Sequence, residues 1–125
     1  MPKLINARNV ALAAVAALAL TGSAQASGLA GATVTISGQN GDYSGTVTSP
    51  RLHRCADQRT VTVYKQKGAR QNPRVDAMIG SDTAELRGRH AVWSIGNSGF
   101  RSGKFYARAS TAPGCATAAS RTIHR

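Results

Sequence analysis

From Ala32 to His124 the chain is built from short stretches in which apolar and polar residues alternate one by one. Ala32, Val34 and Ile36 oppose Thr33, Thr35 and Ser37, and Tyr43, Gly45 and Val47 oppose Ser44, Thr46 and Thr48. Val61 and Val63 alternate with Thr60, Thr62 and Tyr64. Ala91, Trp93 and Ile95 share a face opposite Val92 and Ser94, and Phe105, Ala107 and Ala109 oppose Lys104, Tyr106 and Arg108. A strand sends successive side chains to opposite faces, so this period fits half-buried strands and no stretch carries the helical period. Gln39-Asn40-Gly41-Asp42 and Gly96-Asn97-Ser98-Gly99 read as turns. Ala77-Met78-Ile79 is a short apolar run, and Ser120–His124 reads as an edge strand. About seven strands in some hundred residues predict an all-β fold, an antiparallel β-sandwich of Ig-like or transthyretin-like type; a closed barrel is the alternative.

The first 26 residues follow a different rule. Lys3 and Arg8 precede an unbroken apolar run, Val10–Leu20, and Ala24-Gln25-Ala26 supplies small residues at both positions of a cleavage site. An apolar helix of that length falls short of the roughly 20 residues that span a bilayer. Residues 1–26 are therefore expected to be a secretory signal peptide, leaving 27–125 as one secreted or extracytoplasmic domain with no transmembrane segment. Cys55 and Cys115 are the two cysteines, and export makes a disulfide between them the expected state. Closing so long a loop stabilises a small domain by about 4 kcal/mol in the chain-entropy treatment.

Charge supplies the main hint about partners. Lys and Arg number 16 against 5 Asp and Glu; without Lys3 and Arg8 there remain 14 cations against the same 5 acids, a net +9. Such a charge draws the protein toward polyanions: a cell-wall polymer or acidic glycan, and nucleic acid non-specifically. Arg101, Lys104, Tyr106 and Arg108 form the candidate anion-binding set. Lys104, Tyr106 and Arg108 alternate onto one strand face, where an aromatic between two cations could stack on a base or sugar. Arg51, Arg54 and Arg59 flank Cys55, and Arg70 and Arg74 sit in a polar stretch from Gln66 to Asp76 expected to be an exposed loop. Trp93 falls on the apolar face and is expected in the core.

Val61-Thr62-Val63-Tyr64, then Ile79-Gly80-Ser81-Asp82-Thr83, Gly88, Trp93-Ser94-Ile95 and Gly103-Lys104-Phe105-Tyr106-Ala107-Arg108-Ala109 together give an order of motifs. Over about residues 59–109 this order resembles the carboxypeptidase-regulatory-like, or transthyretin-like, β-sandwich domains of exported bacterial proteins. Trp93 follows Gly88 by five residues, where the family's aromatic follows by about two. The resemblance implies a mostly non-enzymatic spacer, accessory or recognition module. One branch of that fold hydrolyses a purine breakdown product with a C-terminal Tyr-Arg-Gly-Ser; this chain ends Thr122-Ile123-His124-Arg125, and no family site residue transfers.

The residues give no catalytic, metal or cofactor motif. His53, His90 and His124 each neighbour an Arg. A histidine with Glu85 shuttling protons, and Arg87 and Arg89 neutralising an anionic transition state, would make a small secreted ribonuclease or phosphodiesterase. No G-x-S-x-G occurs, Asp82 and Glu85 do not form a glycosidase pair, and Asn40 with Asp42 is too few oxygen ligands for calcium. The sequence thus points to a secreted, non-enzymatic binding or structural module, with the phosphodiesterase as its alternative.

Overall fold

The computed structural model describes residues 28–125. The signal peptide expected at 1–26 lies outside the described residues. The described chain forms two antiparallel sheets packed face to face, as the alternation demands. In chain order the strands are β1 (Thr33–Val34), β2 (Ser37–Gln39), β3 (Asp42–Thr48), β4 (Thr60–Gln66), β5 (Ala77–Thr83), β6 (Glu85–Arg87), β7 (His90–Ile95), β8 (Lys104–Ala109), β9 (Ala118–Ala119) and β10 (Ile123–His124). A single-turn helix, α1 (Leu52–Cys55), lies between β3 and β4. The first sheet runs β1-β3-β7-β6 with β2 also on β3; the second runs β10-β8-β4-β5 with β9 also on β8.

Ten strands stand where about seven were expected, for local reasons. The first expected strand splits into β1 and β2 because the Thr46 N–H turns from the facing backbone to Thr35 Oγ1, at 2.8 Å. The last expected strand, 120–124, shortens to β10, with β9 lying before it: Ser120 donates its N–H to the Ala107 carbonyl, but the Ala107 N–H goes to the Ser120 hydroxyl, at 2.9 Å, instead of to its carbonyl. β6 has only three residues, too few for alternation to declare itself. Asn40 and Gly41, both at positive φ, make the tight turn that joins β2 to β3.

The sandwich core is Val34, Ile36, Tyr43, Val47, Val61, Val63, Ala91, Trp93, Phe105, Ala107, Ala109 and Ile123. Tyr43 and Phe105 meet across the sheets with ring centroids 4.8 Å apart. Trp93 pairs across the strands with Gly45, and the reason for a glycine there is steric. A Cβ on Gly45 would coincide with the Thr35 carbonyl and come within 2.8 Å of the Trp93 ring.

The polar stretch from Gln66 to Asp76 corrects the expectation of a simple exposed loop. Gln66 closes β4, Asp76 is buried, and the segment between folds across the outer face of the second sheet. Thr62 and Tyr64, whose alternation placed them toward solvent, and Gln66, expected in the loop, are buried in consequence. The Cys55–Cys115 disulfide is formed, with Cα atoms 5.6 Å apart and both residues buried. No helix among the described residues is long and apolar enough to cross a membrane.

Candidate anion-binding surface

Tyr106, placed by its alternation between two cations, is fully buried beneath the 67–76 segment. Its ring stacks on Tyr64 at 5.2 Å between centroids, and its hydroxyl donates to Asp76 Oδ2 at 2.6 Å. Asp76 also accepts the N–H groups of Lys67 at 3.0 Å and Asn72 at 2.7 Å, and so ties both arms of the segment to β8. Burial, and then the Asp76 carboxylate, push the Tyr106 phenol well above its ordinary range. Burial by itself would raise Asp76, but the bonds from Tyr106, Lys67 and Asn72 outweigh it and leave the carboxyl below its ordinary value. Tyr106 therefore has no ring face to offer a ligand; its work is to hold the segment down.

The three cations of the expected set separate as well. Lys104 begins β8 and Arg108 lies four residues along it, about 13 Å away at strand rise. Arg108 sits half-buried opposite Thr62 and Ala119. Lys104 and Arg101 remain at one end of the sandwich, and there the fold gathers other residues around them. Lys65, at the end of β4, reaches over the Phe100 ring with Nζ 5.9 Å from its centroid. Phe100 is 38 % exposed. Its carbonyl accepts the Tyr43 hydroxyl at 2.7 Å, which anchors the 96–103 turn to the core. Arg125 is held by paired backbone bonds with Gly103 and donates its Nε to the Gly38 carbonyl. Burial raises the Tyr43 phenol, opposed in part by the Arg125 charge. Lys104 Nζ donates to the Gly68 carbonyl. Lys65 thus stands over an accessible aromatic, at an end of the sandwich that also carries Arg101, Lys104 and Arg125.

The acids are spent elsewhere. Asp42 accepts the Asn97 N–H, Asp57 the Leu86 N–H and Asp82 the Ser94 N–H, and Asp76 serves as described. Among the described residues one ion pair closes within 4.0 Å, Arg87–Glu85 at 3.8 Å, on the surface. Arg59 is the cation that folding takes inside. It is 2 % exposed and donates to the carbonyls of Cys55 at 2.8 Å, Ser110 at 2.8 Å and Ala116 at 2.6 Å. Burial lowers its pKa from the ordinary value. Arg59 belongs to the scaffold of the disulfide rather than to a surface.

The three histidines do not meet. His53 is on α1 and His124 on β10, at opposite ends of the sandwich, while His90 opens β7. The β6–β7 hairpin does pair Arg87 with His90 and puts Glu85 on the same face, with Arg89 in its exposed turn. Among the described residues no three His, Cys, Asp or Glu side chains are grouped to hold a metal.

Sequence reasoning passed over Lys65, Phe100 and Arg125. Phe100 carried a signal: a large aromatic inside Gly96-Asn97-Ser98-Gly99-Phe100-Arg101-Ser102-Gly103 has no strand to bury it. Lys65 and Arg125 had none, because only the tertiary fold brings β4, β10 and that turn to one place. The chain matches no protein-family model, and no curated protein is similar to it.

Proposed function

We propose that the protein is an exported, non-enzymatic binding module that holds an anionic polymer of the cell envelope against the end of the sandwich around Phe100. The observation that carries this reading is the one-sided use of charge. Four of the five carboxylates accept backbone N–H groups, so most cations among the described residues have no carboxylate partner and attract an external anion. One of them, Lys65, stands over the exposed Phe100 ring at an end that also carries Arg101, Lys104 and Arg125, where a sugar or base can stack while phosphate, sulfate or carboxylate groups meet Lys and Arg. The resemblance to carboxypeptidase-regulatory-like domains is part of the same proposal.

The test is titration of acidic glycans, RNA and DNA onto the oxidised protein at low and physiological salt. Selective binding that survives physiological salt and is lost in Lys65→Ala/Arg101→Ala supports the proposal. Weak, unselective binding abolished by salt would sink it. The β6–β7 hairpin favours one rival, a small phosphodiesterase using Glu85, Arg87 and His90. Cleaved RNA, with a bell-shaped pH profile absent in His90→Ala, would establish that rival.

A further inference from the structure

The outer face of the first sheet carries a chemistry unlike the rest of the surface. Cross-strand register lines its side chains up in rows. Ser37, Ser44 and Ser94 form one row across β2, β3 and β7. Thr46, Val92 and Glu85 form the next across β3, β7 and β6, with Thr35 bonded to Thr46 by a 2.8 Å hydroxyl contact. Rows of this kind repeat about every 4.8 Å across strands and about 6.8 Å along them. Together with Asp82 and Arg87 they line an open groove of about 660 Å³.

Two features of the groove say what it can hold. The Ser37, Ser44 and Ser94 side chains are exposed, and their hydroxyls bond no other group among the described residues. Each can both donate and accept. The charge here also runs against the molecule's: Asp82 and Glu85 stand in the groove with one cation, Arg87, already paired to Glu85. A strongly basic protein thus presents a groove that discourages anions.

We infer that this groove binds a glycan chain without anionic groups, laid across the strands, its hydroxyls exchanging hydrogen bonds with the serine row and donating to the Glu85 carboxylate. Spaced hydroxyl donor-acceptors with carboxylates alongside match the alternating hydroxyls of a sugar polymer, and the local charge rejects the polyanions that the opposite chemistry around Phe100 attracts. The site is separate from the cationic end and does not depend on that reading.

The experiment presents the oxidised protein with cellulose, chitin, chitosan and β-1,3-glucan at about 0.5 M salt, where screening is complete within a few ångströms and the cationic end is muted. Pull-down is paired with amide chemical-shift mapping using soluble oligomers of each. The expected result is binding to at least one polymer, with shifts at Ser37, Ser44 and Ser94. Ser44→Ala/Ser94→Ala should bind about tenfold more weakly at an unchanged melting temperature, as the loss of two ordinary hydrogen bonds implies. Lys65→Ala/Arg101→Ala should bind these polymers like the parent while losing polyanions. No binding by any of the four polymers, or binding indifferent to the serine double variant, overturns the inference.

Discussion

Asp76 and Tyr106 show how much one polar contact decides. The Asp76 carboxyl is held below its unfolded value, near 3.9, so its contribution to stability is complete above about pH 4 and is lost as pH falls through the native value. Tyr106 is held above its unfolded value, near 10, so its contribution is complete below that value and is lost as pH rises beyond about 10. The melting temperature should therefore fall on both flanks. Asp76→Asn should flatten the acid limb, and Tyr106→Phe should shrink the alkaline limb to the part Tyr43 contributes. At neutral pH, Tyr106→Phe should cost about 1.5–3 kcal/mol in denaturant titration, the usual worth of a hydrogen bond to a charged group. Gly45 is the steric counterpart. Gly45→Ala should destabilise by about 3 kcal/mol, because the rigid Thr35 carbonyl and the Trp93 ring must both move to admit a methyl. Among the described residues the buried Trp93 Nε1 has no hydrogen-bond partner. Trp93→Phe should accordingly be much milder than Trp93→Ala, for which about 3–5 kcal/mol is expected.

Among the elements, α1 and the 110–116 segment form a unit with little regular pairing. A disulfide and one guanidinium hold it together. The Cys55–Cys115 bond fixes the two segments, and Arg59 satisfies three carbonyls around it. Cys55→Ser/Cys115→Ser should lose about 4 kcal/mol in denaturant titration, the loop-closure contribution of a cross-link this long. Arg59→Met should lose about 3 kcal/mol or more with the disulfide intact, since it strands those carbonyls in the interior. The 67–76 segment acts as a cover. It contributes Asp76 and Gln71, which bond to Tyr106 and to Ser120 and Thr122, and converts the outer face of β4 and β8 into a second small core.

For the whole molecule, the distribution of charge matters more than its total. Acids used as backbone anchors leave the cations to solvent, and the end around Phe100 concentrates four of them. If four phosphates are neutralised there, log affinity for double-stranded DNA should fall against log salt with a slope of about −3.6, and Lys65→Ala/Arg101→Ala should reduce the slope by about 1.8. Fluorescence titration across a salt series measures both. A slope unchanged by that variant would place the contact elsewhere on the surface.

Alternation along the chain determined the all-β class, the inward faces of β3, β7 and β8, the burial of Trp93 and the turn at Asn40-Gly41, because these depend on strand period and local backbone preference. The cysteine pair was equally legible, since two residues allow one connectivity. Three things belonged to the tertiary structure alone: the burial of Tyr106, the recruitment of Arg59 to the disulfide, and the placing of Lys65 over Phe100 at the end that carries Lys104 and Arg125. A period-2 pattern reports which way a side chain points, but not what lies over it. A segment of mostly polar residues, folded back by one carboxylate, decided that the outward face of β8 would be interior. Contacts between residues dozens of positions apart leave no periodic trace in a sequence, so the place where the cations gather could be read only once the sheets had packed.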